Sequence, residues 1–198
     1  SMDYDFPEVG SKRLYLMGHD EVHSLSLNIR GVKSVRFWMG FDDHYLNCLN
    51  VFEKVGLLNH QKVTIGDGQG VVPLHVLKAC LPNPASLAAG YTGRTCIGAL
   101  VRGKCQGKDK EVFIYNLCDH RQAYADVGSQ AIAFTAGVPP VAAAILVARG
   151  EWNPKTMVNV EELDPVPFLD LLNQLGLPTA IRTATAPEAR KANDTLCA

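Results

Sequence analysis

The stretch Cys96-Ile97-Gly98-Ala99-Leu100-Val101-Arg102-Gly103, followed after Lys104 to Lys110 by Glu111-Val112-Phe113-Ile114-Tyr115-Asn116-Leu117-Cys118, decides the fold class. Two runs rich in β-branched and aromatic residues flank a polar segment containing a glycine, which is the pattern of an antiparallel hairpin. Placed in a chain that otherwise mixes strands and helices, the hairpin argues for an α+β domain. The expected architecture is a mixed, largely antiparallel sheet covered by helices on one face.

Working outward, Leu14 to Met17 and Val35 to Phe41 alternate as strands, and Val22, Leu25 and Ile29 between them share one helical face. Tyr45, Leu46, Leu49, Phe52 and Val55 keep helical spacing over His44 to Leu57, with Asp42 or Asp43 as cap and Gly56 as stop. Further helices are expected over Leu74 to Cys80, His120 to Val127, Pro139 to Arg149 and Pro165 to Leu175, with a short strand at Val158 to Val160. Gly66-Asp67-Gly68-Gln69-Gly70 runs into Val71-Val72-Pro73 where a dinucleotide fingerprint needs a continuing helix, so it reads as a hairpin or loop.

A length of 198 residues suits one domain. The boundaries expected are an expression scar and linker over 1–5, a substrate-binding and dimerisation domain over 6–181, and a disordered tail over 182–198. With 19 basic and 20 acidic residues and no long run of either sign, nothing points to nucleic acid or to a membrane surface. The apolar run from Val138 to Val147 is short for a bilayer and reads as a buried core helix. Six cysteines without a C-x-x-C pair favour reduced thiols in the cytoplasm over a disulfide framework. The histidines show no ligand-like spacing, and no metal site is expected.

Along the second strand Arg36 and Trp38 share one face, while Phe37, Met39 and Phe41 face the other way into the core. An arginine on a half-buried sheet face suits a bidentate clamp on a carboxylate, although an ordinary surface arginine or an interface ion pair fits the position too. For Trp38, packing or an interface anchor is the simpler role. His19, Asp20 and Glu21 lie where the first strand meets the first helix. There His19 is placed to supply or relay a proton, or Asp20 and Glu21 simply serve the helix N-terminus. Asn116 closes the hairpin. Gln130 and Thr135 lie between Gly128 and Gly137, where glycines allow either close approach to a ligand or tight helix packing.

Four segments together resemble the catalytic, C-terminal domain of the saccharopine dehydrogenase family. They are Tyr15-Leu16-Met17-Gly18-His19-Asp20-Glu21, Val35 to Phe41, Gly128 to Pro140 and Asn159 to Phe168, in order along nearly the whole chain. Within that family the likeness is to the branch that makes carboxynorspermidine. The resemblance implies an NADPH-dependent oxidoreductase of polyamine synthesis. Its reaction would reduce the imine of aspartate β-semialdehyde with 1,3-diaminopropane or putrescine to carboxynorspermidine or carboxyspermidine. The alternatives are a saccharopine dehydrogenase or reductase of lysine metabolism, and a non-catalytic ligand-binding or assembly module. The resemblance also implies a Rossmann domain, expected to lie outside this chain, to bind the cofactor, and a homodimer formed through the open sheet face. The catalytic candidates are His19 and Glu21, and the substrate-binding ones Arg36, Trp38, Asn116, Gln130 and Thr135; of these the resemblance bears on Arg36, since the same strand in relatives carries an arginine at the substrate.

Overall fold

The computed structural model describes residues 1–66 and 68–185. Strands β1 (Met2–Phe6) and β2 (Gly10–Met17) form a hairpin. Helix α1 (Asp20–Asn28) leads to β3 (Phe37–Gly40), which pairs antiparallel with β2 to complete a three-stranded sheet. The segment expected to be scar and linker is therefore a strand: Tyr4 and Phe6 alternate with Asp3 and Asp5, and the apolar pair turns toward the interior.

Helix α2 (Asp43–Lys54) is capped by Asp42, whose Oδ1 accepts from the His44 N–H at 2.9 Å, as its spacing predicts. The glycine cluster joins β4 (Val63–Thr64) to β5 (Gly70–Val71), confirming the hairpin reading. Helices α3 (Pro73–Cys80) and α4 (Pro84–Leu87) follow, α4 running into a 3-10 turn at Ala88–Gly90.

The expected long hairpin is present as β6 (Arg94–Cys105) and β7 (Lys108–Asp119). Its turn is shorter than the polar segment suggested, because the ladder continues through Lys104, Cys105, Lys108 and Asp109. Only Gln106 and Gly107 form the turn, both left-handed at φ 51° and 77°, the two-residue geometry that matches strand twist. After β7 come α5 (His120–Val127), α6 (Ala131–Ala148), a 3-10 turn at Val160–Glu162, α7 (Pro165–Gln174) and β8 (Thr179–Thr185), the last pairing with β7. The boundary expected at 181 falls inside β8, and residues 186–198 lie outside the described residues. Val158 to Val160 is not a strand; Asn159 and Glu162 form a reciprocal capping box that starts the 3-10 turn instead.

Helix α6 corrects a larger expectation. It begins at Ala131, eight residues before Pro139, and carries Pro139 and Pro140 in its interior. Two interior prolines leave the Thr135 and Ala136 carbonyls without helical donors, at a cost of about 3 kcal/mol or more each. Burial along one stripe offsets this, since Ala131, Thr135, Ala142 and Leu146 recur at helical spacing and are all buried. Ala131, Ala142 and Leu146 pack with Cys118, Ala123, Trp152, Leu171, Leu172 and Leu177 into a core shared by α5, α6, α7 and the end of β7. The rest of α6 is apolar but not enclosed, so it is a core helix along one face only. By length and composition alone it also passes as long enough to cross a membrane.

The class is α+β as expected, with every strand pairing among the described residues antiparallel. The sheet is divided, however, and its two larger parts meet face to face. Tyr4 and Phe6 of β1 contact the Phe113 ring edge-on at 5.6 and 6.2 Å, and Phe113 stacks on Tyr115 at 4.9 Å. Arg182 of β8 donates to the Tyr4 hydroxyl and the Asp5 carbonyl, bracing β1 against this cluster. On the opposite face of β6–β8 the helices cover only the Cys118 end. Further along that face Ile97, Val101 and Ile181 stand 52%, 55% and 65% exposed, leaving an open apolar surface.

Candidate functional site

The candidate residues fall into two groups, and among the described residues no hydrogen bond or ring contact joins them. The first surrounds the junction of β2, α1 and β3. His19 sits at the N-cap of α1 in extended conformation, and its side chain does not cap the helix. Its ring instead stacks on Phe37 at 4.1 Å with the planes 17° apart, while Nδ1 pairs with Glu21 Oε2. A carboxylate on one ring nitrogen fixes the tautomer and directs Nε2 outward, the arrangement a proton donor or acceptor needs. Glu21 thus does more than complement the helix dipole.

Arg36 lies one residue before β3, outside the strand, and is exposed. The half-buried sheet arginine expected from alternation is not there, because the chain from Val32 to Arg36 is irregular and the ladder to β2 begins only at Phe37. Among the described residues its guanidinium makes no hydrogen bond or ion pair, so it remains open to an anionic ligand. Trp38 is half-buried opposite Leu16, on the sheet face opposite to Phe37 and His19. Phe37 supplies the stacking surface for His19, whereas Met39, expected in the core, is 45% exposed. Alternation predicts Phe37 only as a core-facing residue, because stacking between residues so far apart leaves no periodic trace.

The second group gathers around the start of α6, and here the side chains are largely committed to the fold. Asn116 Nδ2 donates to the carbonyls of Leu177 and Pro178 at 3.2 and 2.9 Å and approaches Thr179 Oγ1 at 3.0 Å, tying α7's exit to β7. Thr135 is 7% exposed and donates back to the Ile132 carbonyl at 3.2 Å, along its own helix. Gln130 is the N-cap of α6 without a capping hydrogen bond, and among the described residues its buried Oε1 has no partner.

His120, which the sequence placed only at the end of the hairpin, is the organiser of this region. Buried to 7% exposure, it accepts the Ala131 N–H on Nδ1 at 3.3 Å, approaches Thr95 Oγ1 with Nε2 at 3.4 Å and stacks on Tyr91 at 5.3 Å. It therefore takes the capping part that Gln130 leaves unfilled. Asp119 beside it caps α5 through the N–H groups of Gln122 and Arg121. Those bonds, the Gln122 one foremost, hold its carboxyl below the ordinary value despite some opposing desolvation. Cys118 is buried in the helical core, and that burial pushes its thiol up, away from the thiolate a nucleophile requires.

A dinucleotide pyrophosphate calls for a strand, a glycine-rich turn and a helix N-terminus in succession. In this chain the glycines at 66, 68 and 70 stand in the β4–β5 hairpin, before α3 rather than at its start. The described residues do not fit a nicotinamide dinucleotide. Nor, among the described residues, do three or more His, Cys, Asp or Glu side chains converge as a metal site would require.

Residues 1–177 match the family model described as the saccharopine dehydrogenase C-terminal domain. The chain is 52% identical over 176 residues to carboxynorspermidine synthase of Vibrio alginolyticus and 50% identical over the same length to carboxynorspermidine synthase of Vibrio cholerae serotype O1. It is 46% identical over 176 residues to carboxyaminopropylagmatine dehydrogenase of Synechocystis sp.. Each match takes in 89% of this chain but only 42% to 44% of the relative, so the chain spans less than half the length of these proteins.

Proposed function

The chain belongs to the saccharopine dehydrogenase family, as its C-terminal domain, and from that premise we propose that it is the substrate-binding half of an oxidoreductase of polyamine synthesis. The observation that carries this reading is the identity of 46% to 52% with relatives whose names all denote enzymes of carboxylated polyamines. The reaction proposed is reduction of the imine formed between aspartate β-semialdehyde and an amine. The amine is 1,3-diaminopropane, putrescine or, as the Synechocystis name suggests, agmatine, since the semialdehyde itself supplies the carboxyaminopropyl group.

Such a reduction places a hydride on carbon and a proton on nitrogen. The residues described here address the second requirement and the placement of the substrate. NADPH is the proposed hydride source, held outside the described residues. The Glu21-oriented His19 is the proposed proton donor, and Phe37 holds its ring in place. Arg36, exposed one residue from that stack, is the proposed anchor for the amino acid carboxylate. A contact remote from the reacting carbon serves to orient it. Asn116 and Thr135 support the walls around α6, and Gln130 is the one member of that group with an open acceptor. The bare face bearing Ile97, Val101 and Ile181 is the proposed dimer contact, and the cytoplasm is the proposed compartment.

The test is NADPH oxidation by the full-length gene product. One mixture holds aspartate β-semialdehyde with 1,3-diaminopropane, putrescine or agmatine, and a parallel one holds α-aminoadipate semialdehyde with glutamate. Turnover in the first mixture alone is expected and identifies the amine. Turnover only in the second moves the protein to saccharopine metabolism, and silence in both leaves a non-catalytic module.

A further inference from the structure

A cleft of about 510 Å³ opens where the β1–β3 sheet meets the start of β6, at the end of β3 away from Arg36. Its lining includes the apolar side chains of Phe6, Val9, Leu14 and Phe41 and the half-buried Cys96. It also carries charge of both signs, from Lys12, Arg13 and Arg94 and from Asp42 and Asp43 at the start of α2.

Most of these charges are already committed. Arg13 pairs with Asp3 at 3.0 Å, Arg94 is held by Glu8 and lies 3.8 Å from Asp119, and Asp42 caps α2. Among the described residues the Lys12 ammonium makes no ion pair or side-chain hydrogen bond; the Asp43 carboxylate makes none either, although its charge acts on Arg13 and it stands in the first turn of α2. A concave site lined by apolar side chains, one unpaired ammonium and one carboxylate without an ion pair has the features that select a small dipolar ligand. The volume is within the range of small-molecule sites.

We propose that this cleft binds a small zwitterion, an amino carboxylate whose carboxylate meets Lys12, whose ammonium meets Asp43, and whose methylene chain lies on Phe6, Leu14 and Phe41. The inference stands on the cleft alone and not on the oxidoreductase reading, since it concerns binding to this chain with no cofactor present. Recognition at two points of opposite sign rejects amines and carboxylates that satisfy only one, because the other charge gains no partner.

The experiment is calorimetric titration of the 198-residue chain with β-alanine, 4-aminobutyrate and 6-aminohexanoate, using butylamine and butyrate as one-charge controls. At least one amino carboxylate is expected to bind more tightly than both controls, and the preferred chain length reports the separation of the two charges. Lys12→Met and Asp43→Asn are each expected to weaken that ligand about fivefold, with the gap narrowing at high salt. Lys12→Arg and Asp43→Glu keep the charges and should keep most of the affinity, which separates a lost contact from a damaged fold. Three results overturn the proposal: no binding of any amino carboxylate, equal binding of the one-charge controls, or an affinity unmoved by either charge-removing substitution.

Discussion

Replacing Gly98 with alanine tests how the two larger sheets are held together. Gly98 lies on β6 opposite Tyr115, and a Cβ built there would stand 2.4 Å from the Ile114 carbonyl oxygen, 2.7 Å from Tyr115 Cβ and 2.8 Å from Phe113 Cε2. Two of these are backbone or Cβ atoms that cannot swing away, so β6 and β7 must separate or the Phe113–Tyr115 stack must open. Overpacking of this kind costs about 1–3 kcal/mol, and loss of an aromatic pair adds about 0.5–1.5 kcal/mol. Alanine recovers about 0.5–1 kcal/mol of backbone entropy relative to glycine, which leaves a net destabilisation of about 0.5–4 kcal/mol. The same stack receives Tyr4 and Phe6, so the damage should reach β1.

The assay is urea unfolding followed by circular dichroism, with Gly103→Ala as control. Gly103 is on the same strand, and a Cβ there meets nothing within 4 Å. For a slope of about 2 kcal/mol per molar urea, Gly98→Ala should lower the midpoint by roughly 0.25–2 M with the slope unchanged, while Gly103→Ala stays level or rises slightly. Equal midpoints for the two variants would refute the close approach of β6 and β7 at Gly98.

Other outcomes follow from the same structure. In the proposed imine-reducing oxidoreductase, Arg36→Ala should raise KM for the imine with cofactor affinity unchanged, and His19→Gln should lower kcat more than KM; steady-state kinetics checks both. Leu146→Ala empties a site that is 1% exposed in the helical core and should cost about 2–5 kcal/mol in denaturant unfolding. Asp119 is held below its ordinary 3.8 chiefly by the Gln122 N–H, and Glu161 below 4.5 chiefly by Asn28. A carboxyl lowered in the folded state binds fewer protons there than in the unfolded chain. Its contribution to stability is complete above the ordinary value and is lost as pH falls through the lowered one. Midpoints measured on acidification should therefore hold above pH 4.5 and drop below 3.8, and Asp119→Asn should shallow that drop. Among the thiols, exposed Cys80 and Cys105 should react with a disulfide reagent well before buried Cys118, as mass spectrometry of timed samples would record.

The sequence by itself determined the elements whose signals are local. The hairpin of β6 and β7, the cap at Asp42, the helix over His120–Val127 and the β4–β5 hairpin follow from side-chain alternation, capping chemistry and the placement of glycines among neighbours in the chain. Family membership was equally legible, because ordered motifs spread over most of the chain survive without any knowledge of contacts. Tertiary packing decided the rest. It drew β1 out of what reads as a linker, since Tyr4 and Phe6 gain a partner only when Phe113 is folded against them. Helix α6 likewise extends through two prolines because one buried stripe outweighs two lost hydrogen bonds. At the site, His19 and Glu21 were visible as neighbours, but the stack on Phe37 depends on the β2–β3 register, and the exposure of Arg36 on where that ladder begins. Asn116, Thr135 and His120 have the side chains of binding residues, and only their hydrogen bonds reveal how far the fold has already claimed them.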